Sequence, residues 1–254
     1  METIRAVGPL DGRYARLTEE LADIFSEYGL IRHRVQVEIE WLKFIINDLK
    51  LDASPEAGLA GLDRIADDFS VSDALAVKSI EKSTNHDVKA VEYFVKDRLD
   101  GLGLSNIKEW VHFSCTSEDI NNIAYALMMK KGRALILTLM DQCIQKMEEN
   151  ARAFEAVPMM SRTHGQPATP TTLGKEFVNY AWRLGQERAE LDRIQIQGKF
   201  NGATGNYNAH HFVFPDIDWI NASQRFLSSN LDLEPILFTT QINPNLYLSR
   251  LLHS

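Results

Sequence analysis

The sequence predicts an all-α protein built on long helices that pack as a bundle. From Thr18 to Leu49, apolar residues recur at steps of three and four, which is the spacing of one helix face. Between Ser117 and Val157 there is no proline, and the only glycine is Gly132. Because these two residue types most disfavour a helix interior, this second stretch predicts one continuous helix.

The second long stretch also carries a heptad seam. Its apolar residues alternate steps of three and four: Leu137, Met140, Ile144, Met147, Ala151 and Phe154. A further helix is predicted from Thr171 to about Gln197, with Leu173, Phe177, Tyr180, Leu184, Leu191 and Ile194 on one side. Two helices this long cannot bury both seams against each other, so we expect a multi-helix bundle completed by other chains.

The remaining elements are shorter. In chain order we expect a loop over 6–15, helices near 54–69, 72–81 and 88–99, a polar loop over 161–170, a loop or short hairpin over 201–219, a helix near 220–229, a strand over 236–242 and the start of another helix at the C-terminal end. These elements group into a helical N-terminal domain, 1–115, and a long-helix bundle domain, 116–254.

Composition excludes several classes of function. The formal net charge is −8, whereas a general nucleic-acid binder needs concentrated positive charge. No apolar run approaches membrane-spanning length, and the N-terminus has neither signal-peptide nor transit-peptide character. The two cysteines, Cys115 and Cys143, indicate reduced thiols. We therefore expect a cytoplasmic protein that binds neither nucleic acid nor membrane.

Three histidines stand in polar breaks of the helical pattern: His86 in STNHD, His112 in HFSCTSED and His164 in SRTHGQPATP. Each has a structural alternative, as part of a helix cap, as a polar contact before a helix, or as a loop residue bonded to backbone. Small hydroxyl and amide residues flank all three, and helix ends there expose N–H groups to anions. Because histidine moves protons near neutral pH, the coincidence favours one shared pocket.

Other chemistries have weaker support. His210 and His211 are adjacent, but no HxxxH, HExxH or CxxC spacing suggests a metal site. A single cysteine before a helix cap, such as Cys115, is more often buried than nucleophilic. Neither a GxSxG nor a Walker-type GxxxxGK[ST] motif is present, and GATGNY is too short to indicate a nucleotide loop.

Several longer strings resemble the adenylosuccinate lyase family of the fumarase/aspartase superfamily. They are GRY, TNHDVKAVEYF, HFSCTSEDINN, SRTHGQPATPTTLGKE and GNYNAH, and the resemblance runs over nearly the whole chain. It implies a fumarase/aspartase-like helix bundle, a homotetramer, and cleavage of adenylosuccinate to AMP and fumarate and of SAICAR to AICAR and fumarate. Such a β-elimination in purine biosynthesis needs no metal and no other cofactor.

The resemblance also implies roles for particular residues. His164 matches the general acid, and His86 matches a histidine that contacts substrate and supports proton transfer. Substrate-binding roles fall to Arg13, Tyr14, Asn85, His86, Asp87, His112, Thr116, Ser117 and Gln241. Within that set, Arg13 and Tyr14 match the pair that holds the phosphate, for which the forked donors of arginine are suited.

Two departures from the family pattern bear on activity. The signature SSTMPHKVNP, which in this family lies on a flexible glycine-rich loop and carries the serine base, is absent from this sequence, and the residues after Gln241 also depart from the family. We therefore expect a truncated lyase with little or no activity of its own. The alternatives are a non-catalytic helical partner of a full-length lyase and a related lyase that acts on another fumarate adduct.

Overall fold

A computed structural model describes residues 6–51 and 61–254. The chain divides into two compact units, of which the first comprises Met1–Lys130 and Ile196–Asn245. The second unit comprises Lys131–Gln195 and Leu246–Ser254. This division differs from the predicted domains 1–115 and 116–254, which stay a prediction.

Helices dominate both units, as the all-α prediction required. The α-helices are α1 Glu19–Phe25, α2 Glu27–Asn47, α3 Leu62–Asp67, α4 Val71–Thr84, α5 Asp87–Gly101, α6 Ser117–Ala153, α7 Leu173–Arg193, α8 Asn208–Val213, α9 Trp219–Arg225 and α10 Leu246–His253. Short 3-10 helices cover Ala15–Leu17 and Ser105–Trp110, and a π-helical turn, Phe226–Asn230, extends α9. In the described part of the chain, no helix is long and apolar enough to cross a membrane.

The single helix predicted from Thr18 to Leu49 is wrong in one respect, because the chain forms two helices there. Ser26 has an extended backbone between α1 and α2, and its side chain accepts a hydrogen bond from the backbone N–H of Gly29. This is a serine N-cap, which begins a new helix inside a continuous apolar pattern. The helix predicted near 54–69 begins at Leu62 within the described residues, and positions 54–60 lie outside them.

Helix α2 lies in the centre of the first unit. Thirteen of its 21 residues are buried, and it contacts α3, α4 and α5. One apolar face packs into a core cluster with those helices: Ile31, Val35, Ile39, Leu42 and Ile46. Trp41 contacts Phe200 at 4.3 Å between ring centroids, so α2 also anchors the C-terminal part of the unit.

Two strands connect the long helices α6 and α7. Strand β1, Pro158–Thr163, pairs antiparallel with β2, Gln166–Thr172, with an irregularity between Met160 and Arg162. The polar loop predicted over 161–170 is therefore a hairpin, and its turn is His164–Gly165. Both turn residues have positive φ, 50° and 74°. That geometry suits a two-residue hairpin turn, and histidine is among the non-glycine residues that adopt it more often.

Close packing holds the second unit together. A Cβ atom at position 174 would collide with the carbonyl oxygen of Ala151 and with the backbone of Glu155, so only glycine lets α7 start this close to α6. Phe154 and Phe177 stack at 5.9 Å between ring centroids. Tyr180, on the apolar side predicted for α7, has an exposed side chain in the single chain.

The segment from 196 to 245 differs most from its prediction. The loop or hairpin expected over 201–219 contains α8, and the strand expected over 236–242 does not form. Instead β3, Gln197–Gly198, pairs parallel with β4, Glu234–Pro235, over two residues only. The helix predicted near 220–229 is present as α9 and its π-helical extension.

Candidate functional site

The ring of His86 caps helix α5 and faces the start of helix α6. Its Nδ1 accepts a hydrogen bond from the backbone N–H of Lys89 at 3.1 Å. An accepting ring nitrogen carries no proton, so the proton of the neutral ring is on Nε2. That Nε2 lies 3.4 Å from Oγ of Ser117, where it can donate. The helix-cap alternative for His86 is confirmed, and the cap itself fixes which nitrogen faces Ser117.

Arg34 ties this region together from α2. Its Nε donates to Oδ1 of Asn121 at 2.8 Å, and its Nη2 donates to Oδ2 of Asp87 at 2.6 Å. The Arg34 side chain is only 7% exposed, whereas that of Asp87 is 46% exposed. Partial burial raises the pKa of Asp87, but the guanidinium outweighs burial and holds the pKa below its usual value. One arginine therefore fixes the ends of α5 and α6 to α2.

Asn85 ends α4 in the left-handed conformation, with φ 51°. Asparagine adopts that conformation more readily than most residues, so the chain turns sharply from α4 into α5. The turn leaves the side chains of Asn85 and His86 exposed and that of Asp87 half-buried. The predicted triplet thus lies on one tight helix–helix junction.

His112 makes its contact with Glu38, one helical turn beyond Arg34 on α2. Nδ1 of His112 lies 2.6 Å from Oε1 of Glu38, and the backbone N–H of His112 donates to Oε2 at 3.1 Å. Burial lowers the pKa of His112, but the carboxylates of Glu38 and, further away, Glu92 outweigh it and raise the pKa above its usual value. The predicted polar contact is confirmed, with a buried carboxylate as its partner.

A buried polar network positions Thr116 and Ser117. Asp119 accepts the backbone N–H of Thr116 at 2.9 Å and those of Asn201 and Gly202 at 3.2 Å each. Its Oδ1 also lies 2.9 Å from Nζ of Lys199, and both side chains of this pair are fully buried. The start of α6 is therefore bonded directly to the 199–202 segment.

The same network extends to the segment that contains Gln241. Asn122 exchanges hydrogen bonds with the backbone of Lys199, and its Oδ1 accepts from Nδ2 of Asn243 at 3.2 Å. Asn201 donates to Oγ1 of Thr239 at 2.8 Å. Gln241 lies in the sequence between Thr239 and Asn243, both of which are held by these hydrogen bonds, and its side chain is exposed.

The other predicted residues do not join this cluster through hydrogen bonds in the described part of the chain. Arg13 stacks over its neighbour Tyr14 at 5.5 Å, and both side chains are exposed. His164 lies in the exposed turn of the hairpin, in the second unit. The convergence of His86, His112 and His164 on one pocket therefore stays a prediction.

Cys115 has the environment of an inert thiol. Its Sγ lies 3.5 Å from the carbonyl oxygen of Phe113. Burial, together with the carboxylates of Glu38 and Asp119, raises the pKa of the Cys115 thiol well above its usual value. Among the residues that the structure describes, no group of three or more His, Cys, Asp or Glu side chains is placed to hold a metal ion.

Sequence reasoning missed Arg34, Glu38 and the Asp119–Lys199 pair. Arg34 and Glu38 lie in a helix that also carries Arg32 and Glu40, whose side chains are partly exposed. No pattern in the sequence shows that Arg34 and Glu38 are buried and the other two are not. The difference in burial comes from the helices that pack against each face of α2. The Asp119–Lys199 pair joins positions 80 residues apart, which periodicity cannot detect.

The architecture and the polar helix junctions are those of a helical lyase. The chain belongs to the lyase family, whose model matches residues 12–222. This confirms the resemblance to the fumarase/aspartase superfamily and the expectation of a lyase.

The most similar curated relatives include adenylosuccinate lyases. The protein from Escherichia coli strain K12 is 44% identical over 256 residues, covering 99% of this chain and 56% of the relative. The protein from Buchnera aphidicola subsp. Baizongia pistaciae is 48% identical over 248 residues, covering 96% of this chain and 54% of the relative. The chain thus spans somewhat more than half the length of these relatives.

Solved structures confirm the fold. The fumarate lyase from Mesorhizobium sp. BNC1 matches with a TM-score of 0.69 at 21% identity, over 87% of this chain and 49% of that one. The β-carboxy-cis,cis-muconate cycloisomerase from Acinetobacter calcoaceticus sp. ADP1 gives a TM-score of 0.67 at 21% identity, over 89% and 52% of the two chains. At this identity the likeness concerns the fold alone.

Proposed function

We propose that the chain forms part of the active site of an adenylosuccinate lyase in cytoplasmic purine biosynthesis. Its substrates would be adenylosuccinate and SAICAR, and its products AMP or AICAR and fumarate. The observation that carries the proposal is the position of the His86 ring between the starts of α5 and α6. Its Nδ1 is occupied by the backbone of α5, so Nε2 faces Ser117 at the start of α6. A donor held at the junction of two helix starts suits an anionic substrate.

The reaction we propose is a β-elimination by acid–base chemistry. A base removes a proton from the carbon next to a carboxylate, the electron pair expels the nitrogen, and an acid protonates that nitrogen as it leaves. We assign the acid to His164 and substrate contacts to His86, Asn85 and Asp87. Thr116, whose backbone N–H donates to Asp119, and Ser117, whose Oγ lies 3.4 Å from Nε2 of His86, would bind carboxylate or phosphate oxygens.

Further substrate contacts in this proposal come from Arg13, Tyr14, His112 and Gln241. The phosphate would be held by Arg13 and Tyr14, both of which have exposed side chains. We propose that complete sites form in a homo-oligomer, a tetramer as in the family that the sequence resembles.

The test is release of fumarate from adenylosuccinate by the purified 254-residue chain, with His164→Ala as the matched variant. Release that is lost in the variant supports a lyase site with His164 as its acid. Release that persists in His164→Ala contradicts that assignment. A chain that neither binds nor cleaves adenylosuccinate, alone or mixed with a longer lyase chain, contradicts the proposed function.

A second candidate is a non-catalytic partner that assembles with a longer lyase chain. Exposed apolar side chains on α7 favour it, with Val178 47% and Trp182 65% exposed one turn apart. Co-expression with a tagged longer lyase chain tests it. Co-purification and a changed rate support the partner, and independent purification of the two chains contradicts it.

A further inference from the structure

Glu38 is a fully buried carboxylate with a single cationic partner. Its side chain is 0% exposed, and in the described part of the chain its only ion pair is with His112. An isolated carboxylate in such surroundings is strongly destabilised, whereas a paired and hydrogen-bonded one is tolerated. A positive charge beside Glu38 would offset the cost of its burial, and the ring of His112, 2.6 Å away, is the group in position.

The contact fixes the orientation of His112 as well as its charge. Oε1 holds the ring through Nδ1 at 2.6 Å, while Oε2 accepts the backbone N–H at 3.1 Å. His112 has a φ of 61°, which a residue other than glycine seldom adopts without support. One carboxylate thus stabilises an unusual backbone conformation and directs the opposite edge of the ring, with Nε2, away from α2.

The neighbouring charges leave this arrangement intact. From α5, Glu92 and Lys89 both act on His112, but Glu92 lies within 3.2 Å of the ammonium groups of Lys89 and Lys96 and is already neutralised by them. Nε2 of His112 forms no hydrogen bond with any residue that the structure describes, and the side chain is 18% exposed. A charged donor is therefore left for a ligand.

From these observations we infer that Glu38 is a positioning residue, which holds His112 as an imidazolium whose Nε2–H binds a carboxylate or phosphate oxygen of the ligand. His112 then acts as a fixed positive contact and does not carry protons during the reaction. The identity of the ligand rests on the proposed function, whereas the charge and orientation of His112 do not.

The decisive measurement is a pH titration of the ring ¹⁵N signals of the whole chain, with the His112 signals assigned by comparison with His112→Gln. In the unsubstituted chain we expect both ring nitrogens of His112 to stay protonated above the usual titration range of histidine, near pH 6.5. Glu38→Gln, which keeps the size of the side chain and removes its charge, should move the titration to lower pH. Glu40→Gln, on the same helix and paired with Lys43, is the matched control and should leave it unchanged.

Ligand binding is then measured on the same samples with fumarate, inorganic phosphate and adenylosuccinate as separate probes. At pH 7.5 we expect the anion to shift Nε2 of His112 and its affinity to fall about tenfold in Glu38→Gln, the typical worth of one charge-assisted hydrogen bond. The fumarate and phosphate arms distinguish which oxygen is bound.

Two results overturn the inference: a His112 titration that Glu38→Gln leaves in place, or His112 signals that respond to none of the three anions. If fumarate or phosphate shifts Nε2 but adenylosuccinate does not bind, the inference holds and the proposed function fails. Should Glu38→Gln not fold, Glu38→Asp, which keeps the charge and withdraws it by one methylene, must move the titration of His112 to a pH below that of the unsubstituted chain, and an unchanged titration would contradict the inference.

Discussion

His112 and His210 are both histidines of the first unit, yet their surroundings shift their pKa values in opposite directions. His112 faces a buried carboxylate, whereas His210 is fully buried among Trp41, Phe200 and Trp219. Neither ring nitrogen of His210 has a hydrogen-bond partner among the described residues. Burial, with His211 and Lys199 nearby, lowers the pKa of His210 to about 4. The neighbours of each ring, a carboxylate for His112 and aromatic side chains for His210, therefore set the direction of its pKa shift.

The two shifts have opposite consequences for stability. The folded-state pKa of His112 is raised, so its contribution is complete below the unfolded-state pKa, near 6.5, and is lost as pH rises through the folded-state pKa. The folded-state pKa of His210 is lowered, so its contribution is complete above about pH 6.5 and is lost as pH falls towards about 4.

We predict that His210 makes the chain acid-sensitive. Between pH 6.5 and 4, protonation in the unfolded state should lower the free energy of unfolding by about 3 kcal/mol. Urea unfolding at a series of pH values measures this, and His210→Leu should flatten the profile over that range. His253→Leu, a change at an exposed histidine of the second unit, should keep the slope of the original chain. A slope that survives His210→Leu would assign the acid sensitivity to other groups.

At the scale of secondary structure, periodicity predicted the helices, which depend on one segment of the chain. It failed for the strands, which form only when two segments pair. Helices α4, α5, α6 and α7 follow from their apolar spacing and caps. The strand expected over 236–242 failed because a short apolar run is a strand only if another strand pairs with it. The hairpin at 158–172 was missed for the converse reason, since its prolines argue against strands until the two are paired at an edge.

Some residues of the candidate site were predicted from the sequence, and others were not. His86 was predicted from a local polar break, and Asp87 and Ser117 from the family resemblance; the structure places both of them next to His86. Arg34 and Glu38 were not predicted, because their roles arise from helices that pack against α2 from elsewhere in the chain. A residue whose role depends on neighbours in the sequence, such as His86 in its helix cap, can be predicted from the local sequence pattern. A residue whose role depends on contacts between helices distant in the sequence, such as Arg34 or Glu38, cannot.

The Asp119–Lys199 pair connects the start of α6 to a segment 80 residues away, and the two ends of this pair are not equivalent. Asp119 also accepts three backbone N–H groups, whereas Nζ of Lys199 has one other hydrogen bond among the described residues, to the carbonyl of Gly202. Removing the carboxylate leaves a buried ammonium group nearly unpaired, and removing the ammonium group leaves a carboxylate still well solvated by amides.

We therefore predict that Asp119→Asn lowers the free energy of unfolding by about 3–5 kcal/mol and Lys199→Met by less. The double variant should be more stable than the sum of the two changes implies. Urea unfolding followed by tryptophan fluorescence measures all three. Lys146→Met, which breaks an exposed pair with Glu149, is the control and should cost under about 1 kcal/mol. Equal losses in the two single variants would contradict this account.

At the scale of the whole molecule, the long helices of the second unit expose apolar side chains to solvent. Ile136 and Leu139 on α6, and Val178 and Trp182 on α7, are each about half exposed or more. Isolated exposed apolar residues are ordinary, but residues that recur at helical spacing on two packed helices mark a surface for association. This agrees with the expectation, drawn from the length of the helices, that other chains complete the bundle.

We predict that the chain associates with itself through α7. Trp182 is 65% exposed and Val178 lies one turn before it, so serine at both positions removes apolar area without altering the packing of α7 on α6. Because buried tryptophans dominate interface energies, the double variant should raise the dissociation constant at least tenfold. Sedimentation velocity over a range of concentrations measures it. Phe212→Ser, at an apolar residue of the first unit that is 89% exposed, is the matched control and should leave assembly unchanged. A chain that sediments as a monomer at every concentration would remove this surface from the proposal of an oligomeric site.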